Sequence, residues 1–475
     1  MKLIPEGLVM KVSVVSKAAS PTRVIPVVEE DTTNIVDFSG EKQHLALRYD
    51  GDECTIYCGL GPRKECTSAL IRRAAAQGVQ KALELKRTKL SVIPPRRKKC
   101  KGRCIDAACE GAILGTYRFS RYKSQKPPRI QSIEIESDSL SSHKLKEIQA
   151  LCESVFYARD LVNDNAHVIT PSHLANEAKK LGESPRIKTT VLDQAAIRKK
   201  GLGLLDAVGH GSPFPPRLAI MEYTGNKKVS AKTAVVGKGI TFDSGGQNHK
   251  PSGHIETMRH DMAGAATVLG LMHALNRIKP DVNVTGVVTA AHNACGSRGY
   301  FPGDTYKSYS GKWIEIGNTD AEGRLALADA FSYCQKHYKP SELIDLATLT
   351  GGILYALGTS VAGLFSNDNS LSEKLFQSGE RTYERLWRLP VYEEHSESMK
   401  SDIADLKNIS KFKKGIASSI TAAAFLQEFI EKIPWAHLDI AGTAFNDGES
   451  TGEISKYATG FGIRLLMDYL VSNRG

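Results

Sequence analysis

The sequence predicts an α/β protein with a two-domain subunit, in which a smaller α/β N-terminal domain precedes a C-terminal domain with a mainly parallel sheet. The chain has 475 residues, which is enough for two or three domains with a sizeable buried core. From about residue 165 onward, short apolar runs alternate with segments of helical periodicity. Continuous apolar strands with helices between them indicate a parallel sheet covered by helices on both faces.

The predicted N-terminal domain covers residues 1–142 and differs in composition from the rest of the chain. Short β-rich stretches such as HLALRYD and CTIYCGL predict strands. The segment 67–86 has apolar residues at helical spacing, which predicts a helix. Residues 143–164 predict a linking helix that leads into the C-terminal domain at 165–475.

The C-terminal domain shows the alternation of strands and helices most clearly. Predicted strands cover 233–237, 282–292 and 343–350, and predicted helices between them cover 261–277 and 322–338. Because ligands bind at the carboxyl ends of the strands in such sheets, polar residues that follow these strands are the first candidates for a functional site.

The overall composition indicates an ordinary globular protein. Hydrophobic residues make up 41% of the chain and charged residues 24%. No apolar run approaches the roughly 20 residues that a membrane helix needs, and the first residues lack the apolar core of a signal peptide. Nine cysteines are an odd number at low density, which favours free thiols in a reducing compartment. We therefore expect a cytoplasmic protein without membrane contact.

The N-terminal domain carries a basic run, RRKKCKGR at 96–103, and most of the cysteines. The run contributes to a net charge of +11, and such runs are usually solvated loops, with nucleic-acid contact as the alternative. No RNA-recognition, zinc-finger or helix-turn-helix signature accompanies it. The cysteines are spaced too irregularly to favour a structural zinc site over unpaired thiols.

Charged residues near the ends of the predicted strands need a physical explanation. Five of them are expected at one end of the sheet: Lys238, Asp243, Asp261, Asp320 and Glu322. Four carboxylates in one place repel one another unless cations lie among them. Two divalent cations match that charge, and a lysine beside them can ligate as a neutral amine. An oxygen-rich shell suits Zn²⁺, Mn²⁺ or Mg²⁺, and the HExxH helix of mononuclear zinc proteases is absent from the sequence.

Two further positively charged side chains fit the same predicted site. Arg324 ends the stretch NTDAEGR at 318–324 and is expected to hold an anion or a developing negative charge, and Lys250 is a second candidate for stabilising an oxyanion. Gly245 and Gly246 let the backbone come close to a substrate. The plainer interpretation of NTDAEGR is a solvated helix start, where acidic residues stabilise the helix dipole.

The stretch NTDAEGRL at 318–325 resembles the signature octapeptide of the leucyl aminopeptidases, also called cytosol aminopeptidases. Further blocks agree in order: VGKGITFDSGG, MRHDMAGAA, ATLTG and WAHLDIAG. The resemblance covers roughly residues 140–475 and is weaker before that. An octapeptide with several ordered blocks is far more specific than a lone glycine motif, so a two-metal aminopeptidase is the leading interpretation.

The resemblance implies a role for each charged residue. The metal-ligand positions of the family are matched by Lys238, Asp243, Asp261, Asp320 and Glu322. Asp243 and Glu322 match the two ligands that bridge both metals. Lys250 matches the lysine that polarises the scissile carbonyl and stabilises the oxyanion, and Arg324 matches the arginine that holds a bicarbonate as the general base.

The resemblance also implies a substrate, cofactors and an assembly. The expected substrates are peptides with a free N-terminus, and leucine-type and other apolar N-terminal residues are preferred. Positions that contact the substrate are matched by Lys250, Met258, Thr348, Gly351 and Ala441. The expected cofactors are two divalent metal ions per subunit, Mn²⁺ or Zn²⁺, with bicarbonate at Arg324. The family is typically a homohexamer.

One loop departs from the family pattern. Residues 247–249 read QNH where the family usually has an apolar–small–apolar triplet, so the shape of the loop that carries Lys250 is expected to differ. A second hypothesis is a binding protein, in which the N-terminal domain contacts nucleic acid or another partner and the catalytic half is a scaffold. The sequence favours the enzyme because all seven central charged residues are present.

Overall fold

The computed structural model describes residues 10–95, 103–413 and 415–473. The chain divides into two compact units, the first comprising Met1–Phe156 with Asn446–Tyr457 and the second comprising Tyr157–Phe445 with Ala458–Gly475. The division falls inside the helix α3 (Ser142–Asn163), in the region of the predicted linking helix. The segment Asn446–Tyr457 therefore groups with the N-terminal unit, which sequence patterns do not anticipate.

The first unit is built on one six-stranded sheet. Its strands are β1 (Lys11–Val15), β2 (Thr22–Val27), β3 (Leu45–Asp50), β4 (Glu53–Gly59), β5 (Lys89–Val92) and β6 (Ser132–Glu136). Its helices include α1 (Ser68–Glu84) and α2 (Arg103–Leu114), and short 3₁₀ helices cover Glu29–Asp31 and Arg63–Glu65. The strand order is β1-β6-β5-β2-β4-β3. All neighbours are parallel except β3 and β4, which pair antiparallel.

The helix predicted at 67–86 is present as α1 and packs against this sheet. The side chain of Thr67 caps the helix by accepting a hydrogen bond from the N–H of Leu70 at 3.3 Å. A Cβ added to Gly78 would lie 2.3 Å from Cγ1 of Val24, so this glycine lets α1 lie close to β2.

Most cysteines in the described part of the chain are thiols that form no disulfide. They are Cys54, Cys58, Cys66, Cys109, Cys152, Cys295 and Cys334. Cys104 is disulfide-bonded, so the expectation of free thiols is wrong for this residue. The basic run at 96–103 lies outside the described residues except for Arg103, and its interpretation stays a prediction.

The second unit contains the larger sheet. Its strands are β7 (Ile187–Leu192), β8 (Arg217–Thr224), β9 (Thr233–Asp243), β10 (Asn283–Asn293), β11 (Thr305–Lys307), β12 (Trp313–Glu315), β13 (Glu342–Ala347), β14 (Ala362–Ser366), β15 (Leu386–Arg388), β16 (Leu406–Lys407) and β17 (Trp435–Asp439). The short strands β18 (Phe445–Asn446) and β19 (Tyr457–Ala458) lie at the two sequence positions where the chain passes between the units.

The helices after α3 form the layers around the larger sheet. They are α4 (Pro171–Leu181), α5 (Gln194–Lys200), α6 (Gly203–Gly209), α7 (Ala263–Ile278), α8 (Gly323–Tyr338), α9 (Gly352–Leu357), α10 (Asn369–Thr382), α11 (Glu393–Glu397), α12 (Ser418–Gln427) and α13 (Ile463–Ser472), with a 3₁₀ helix at Ile255–His260. α7 packs with α4 and α13 on one face of the sheet, and α8 packs with α6 and α12 on the other. The described part of the chain contains no helix that is long and apolar enough to cross a membrane.

The eight-stranded sheet has the order β15-β14-β17-β13-β9-β10-β8-β7. Its four central strands, β17, β13, β9 and β10, are parallel, while β8 and β7 on one side and β14 on the other pair antiparallel to their inner neighbours. A separate three-stranded sheet has the order β11-β12-β16. The parallel centre with helices on both faces confirms the predicted fold class.

β9 is longer than the strand predicted at 233–237. It continues to Asp243, and Lys238 therefore lies inside the strand rather than after it. The prediction was wrong because Gly237 and Gly239 have low strand propensity, whereas pairing with β10 continues beyond both glycines.

Candidate active site

β9 carries two of the charged residues that the sequence predicts at the site. Lys238 lies opposite Thr289 of β10, and Asp243 ends the strand opposite Asn293. Lys238 and Asp243 are 3% and 2% exposed, respectively. Because an isolated buried charge is very costly, both side chains need partners of opposite charge.

The ammonium group of Lys238 is held by acceptors from three other segments. Its Nζ lies 2.8 Å from a carboxylate oxygen of Asp261 and 2.9 Å from Oε1 of Glu322, and it donates to the carbonyl of Thr348 at 2.9 Å. Burial lowers the pKa of Lys238, but the carboxylates of Asp261, Glu322 and Asp243 outweigh it and raise the pKa above its ordinary value. The neutral amine expected from sequence therefore requires cations among these carboxylates.

Lys250 joins the other two carboxylates. Its Nζ lies 2.9 Å from Oδ2 of Asp243 and 2.6 Å from Oδ1 of Asp320. Burial lowers the pKa of Lys250, but the neighbouring carboxylates outweigh it and raise the pKa above its ordinary value. Burial, together with Asp243 and Glu322, raises the pKa of Asp320 to about 7. Each lysine thus lies between two of the predicted carboxylates.

Glycines allow this close approach of charged side chains. Gly323 is the first residue of α8, and a Cβ added there would lie 2.4 Å from Cε of Lys238. Gly245 and Gly246 have φ angles of +85° and +62°, which residues with a side chain rarely adopt. A Cβ on Gly245 would also lie 3.0 Å from Oδ1 of Asp320. The backbone can therefore pass beside Lys238 and Asp320 only where side chains are missing.

Asp243, Asp320 and Glu322 are close enough to share a cation. Each of these three side chains offers a carboxylate oxygen, and the three oxygens lie within 4.8 Å of one another. Among the described residues, this is the group of His, Cys, Asp or Glu side chains that could hold a metal ion. Oε2 of Glu322 is buried and has no hydrogen-bond partner, and Lys238 joins Asp261 to the same group. Because converging carboxylate oxygens suit divalent cations, these residues fit a metal site.

Arg324 follows the carboxylates on the first turn of α8. Its Nη1 donates to the carbonyl of Asn408 at 2.7 Å, while its Nε is buried and has no hydrogen-bond partner. Burial lowers the pKa of Arg324 to about 10, although Glu322 and Asp439 act in the opposite direction. The guanidinium remains charged at neutral pH and is suited to binding an anion.

The loops after β13 and β17 carry the predicted pocket residues Thr348, Gly351 and Ala441. Oδ1 of Asp439 accepts hydrogen bonds from the N–H groups of Leu349 and Ala441, each at 3.2 Å, and so holds the two loops together. The hydroxyl of Thr348 donates to Oδ1 of the metal-ligand candidate Asp261 at 2.8 Å. A Cβ added to Gly351 would meet nothing within 4 Å, so open space lies beside it.

Met258, the remaining predicted pocket residue, lies on the 3₁₀ helix Ile255–His260. Its carbonyl accepts a hydrogen bond from the N–H of Asp261 at 3.3 Å. This helix therefore places the pocket candidate Met258 one short turn before a metal-ligand candidate.

Comparison with known sequences identifies two domains of one protein family in this chain. The catalytic domain of the cytosol aminopeptidase family matches residues 156–467, and the N-terminal domain of the same family matches residues 34–126. The chain belongs to the cytosol aminopeptidase family. It is therefore a peptidase of a metal-dependent type, as the sequence predicts.

Relatives of this aminopeptidase cover nearly its whole length. A probable cytosol aminopeptidase of Protochlamydia amoebophila is 43% identical over 449 residues, which cover 92% of this chain and 89% of the relative. Another, from Chlamydia trachomatis serovar A, is 40% identical over 448 residues, which cover 91% of this chain and 89% of the relative.

Solved structures share the two-domain α/β architecture of this family member. The bottromycin maturation enzyme BotP in complex with Mn is similar with a TM-score of 0.88 and 31% identity, covering 96% of this chain and 99% of that chain. A mutant of tomato leucine aminopeptidase is similar with a TM-score of 0.90 and 30% identity, covering 99% and 98%. These comparisons confirm the resemblance found in the sequence.

Two asparagines at the site of this aminopeptidase are missing from the sequence-based candidates. Nδ2 of Asn293 donates to Oδ1 of Asp243 at 2.7 Å and to the carbonyl of Thr319 at 3.0 Å. Asn293 ends β10, so its position after an apolar strand could have marked it. Asn408 contacts the loop at 317–321 through its side chain, and no sequence pattern marks it.

Proposed function

We propose that this aminopeptidase releases N-terminal residues from peptides with the help of two divalent metal ions. The observation that carries the proposal is the convergence of Asp243, Asp320 and Glu322 within 4.8 Å, beside the ammonium of Lys250. Asp261 and Lys238 complete the set of ligand candidates on the side of Glu322. The structurally similar complex of BotP with Mn supports a divalent ion of this kind.

The family resemblance suggests a role for each charged residue. We infer that Asp243 and Glu322 would help to hold both ions, Mn²⁺ or Zn²⁺, and their nearly complete burial beside Lys250 and Lys238 is compatible with this role. Asp320, the more exposed carboxylate, would hold the more exchangeable ion. Lys238 and Asp261 would hold the other ion. When bound, the two ions supply Lewis acidity and lower the pKa of water.

Lys250 and Arg324 contribute charge around the reacting carbonyl. With cations bound, the ammonium of Lys250 is released from its carboxylate partners and can donate to the oxygen of the scissile carbonyl as negative charge develops. The guanidinium of Arg324 would hold bicarbonate, which would supply a general base at the site. Its buried, unpartnered Nε supports anion binding there.

Met258, Thr348, Gly351 and Ala441 are proposed to line the pocket for the N-terminal side chain. The open space beside Gly351 supports a pocket that admits leucine-type and other apolar side chains. We also infer a homohexamer and a cytoplasmic location. Support comes from the family resemblance and, for location, from the names of the relatives and the free thiols.

The test is hydrolysis of a leucine arylamide by the purified full chain. Activity is measured before chelation, after chelation and after addition of Mn²⁺ or Zn²⁺. We expect chelation to abolish hydrolysis and metal to restore it, while Asp320→Asn remains inactive under every condition. Hydrolysis that persists after complete removal of metal would contradict the two-metal proposal.

Nucleic-acid contact through the basic run is not proposed as a function. Residues 96–102 lie outside the described part of the chain, so no geometric observation favours such contact. The domain boundaries predicted at 142 and 165 remain our working division, with the family domain matches beginning at 34 and 156.

A further inference from the structure

The side-chain amide of Asn408 makes four hydrogen bonds to the backbone of one loop, at residues 317–321. Its Oδ1 accepts the N–H groups of Gly317 at 2.7 Å and Asn318 at 3.2 Å. Its Nδ2 donates to the carbonyls of Asn318 at 2.7 Å and Ala321 at 3.3 Å. Asn408 is completely buried, so these bonds are shielded from bulk water.

The backbone of Asn408 is fixed as well. Its N–H donates to the carbonyl of Glu315 at 3.0 Å, directly after the parallel pairing of β16 with β12. Its carbonyl accepts the Nη1–H of Arg324 at 2.7 Å. One residue therefore connects a strand pair, the loop at 317–321 and the guanidinium of Arg324.

This connection lies next to the proposed chemistry. The loop that Asn408 holds contains Asp320 and ends immediately before Glu322. Asn318, whose N–H and C=O both bond Asn408, also accepts the N–H of Asp320 at 2.8 Å through its own Oδ1. The loop contains no helix or strand, so these side-chain bonds satisfy backbone groups that regular structure would otherwise pair.

We propose that Asn408 is a positioning residue for the reaction: it sets the spacing between Asp320, Glu322 and Arg324. This inference rests on the proposed function, because it concerns the placement of the metal ligands and the anion-binding arginine. Asn408 does not contact the substrate in this role. Displacing such groups by about 1 Å is enough to lower catalysis strongly.

The main variant is Asn408→Ala, which removes all four side-chain bonds but keeps the backbone carbonyl that binds Arg324. Asn408→Ser is a milder variant, because its hydroxyl can retain part of the hydrogen bonding, and it serves if the alanine variant does not fold. We expect the alanine change to weaken Mn²⁺ binding and to lower kcat by roughly 10- to 100-fold each, as for residues that orient metal ligands. The serine change should give smaller losses in the same order.

Asn283→Ala is a matched control, since Asn283 also fastens a loop through its side chain. Its Nδ2 donates to the carbonyls of Asn226 at 2.8 Å and Val229 at 2.7 Å, and its Oδ1 accepts the N–H of Asn226 at 3.1 Å. Asn283 begins β10, at the end opposite to Asn293. The control should lower the melting temperature but leave Mn²⁺ affinity and kcat close to the wild type.

The experiment compares metal-free full-length proteins by calorimetric titration with Mn²⁺, thermal unfolding and steady-state hydrolysis of leucine arylamide at saturating Mn²⁺. Weaker Mn²⁺ binding and lower kcat in the Asn408 variants, with nearly unchanged KM, support the positioning role. Wild-type Mn²⁺ affinity and kcat in a folded Asn408→Ala or Asn408→Ser protein would overturn it. If the wild type binds Mn²⁺ but hydrolyses nothing, the proposed function fails, whereas the Mn²⁺ titration still decides the role of Asn408.

Discussion

Asn248 and Thr319 exchange a reciprocal pair of hydrogen bonds. The backbone N–H of Asn248 donates to Oγ1 of Thr319 at 2.8 Å, and the backbone N–H of Thr319 donates to Oδ1 of Asn248 at 2.8 Å. Asn248 lies two residues before Lys250, and Thr319 lies directly before Asp320. The unusual triplet at 247–249 thus fastens the loop of the proposed oxyanion lysine to the loop of a metal-ligand candidate.

Asn248→Ala should lower kcat by about 5-fold, because a hydrogen bond contributes about 1 kcal/mol and the change removes the Oδ1 that accepts from the N–H and the hydroxyl of Thr319. Lys250 would then be held less firmly relative to Asp320. Metal content should not change, since Asn248 contacts none of the ligand candidates. Steady-state kinetics with Mn²⁺ and a metal analysis check this prediction. His249→Ala, a change in the neighbouring exposed side chain, serves as the control, and equal effects of the two changes would contradict a specific link.

Gly323→Ala should reduce metal binding much more than it reduces folding. The new methyl group would need the space of Lys238, whose Cε lies 2.4 Å from the added Cβ position. Lys238 must then move away from Asp261 and Glu322. Gly351→Ala is the control for metal binding, because it also places a methyl group at a helix start but meets nothing within 4 Å. Normal Mn²⁺ affinity in a folded Gly323→Ala protein would show that Lys238 is not needed there.

Lys250→Ala should lower kcat by roughly 10²- to 10³-fold, the usual loss for one oxyanion donor, while about two metal ions per chain remain bound. Loss of the metal instead would show that Lys250 has a structural role.

The same kinetic and metal measurements apply to Arg324→Ala. This second change should be milder, because free bicarbonate or water can partly replace the held base, and a loss as deep as that of Asp320→Asn would contradict its assignment.

The environment of Asp329, a residue outside the proposed metal site, leads us to expect that the stability of the protein depends on pH. This buried carboxylate of α8 accepts the N–H groups of Leu204 at 2.9 Å, Leu205 at 3.0 Å and Tyr309 at 2.7 Å. Burial raises the pKa of Asp329 to about 7, although these three bonds act in the opposite direction. The folded protein therefore keeps this proton to higher pH than the unfolded chain does.

The sign of the effect follows from that difference in pKa. The contribution of Asp329 to the free energy of unfolding is fully present below about pH 4 and is lost as the pH rises through about 7. Its size is roughly 4 kcal/mol, because the pKa differs by about three units between the folded and unfolded chain. Urea unfolding of metal-free protein between about pH 5 and pH 7.5 measures it. Asp329→Asn should remove this part of the pH slope, and identical slopes in the two proteins would contradict the prediction.

The charged residues of the candidate site can be predicted from the sequence more readily than the residues that surround them. Lys238, Asp243 and Asp320 stand out because charges in otherwise apolar or small-residue stretches need a chemical reason. Asn408 does not stand out, because its partners are backbone groups far away in the sequence and no local pattern records such bonds. The extent of β9 was also missed, since pairing with a neighbouring strand overrides the low strand propensity of Gly237 and Gly239.

At the level of the fold, alternating apolar strands and helices were enough to predict the parallel centre of the larger sheet. They could not predict that Asn446–Tyr457 groups with the N-terminal unit, because this grouping depends on contacts between distant parts of the chain. Cys104 illustrates the same limit, since an odd cysteine count cannot exclude a single disulfide.

The three asparagines that hold the loop at 317–321, Asn248, Asn293 and Asn408, come from separate stretches of the chain. A ribosome makes these stretches in order, at about 5–20 residues per second. A nascent chain that has reached Glu322 already carries every proposed metal ligand, yet the segment containing Asn408 is still to be synthesised. The peptidase would thus acquire its working geometry only late in its own synthesis, so hydrolytic competence would require that synthesis has passed Asn408.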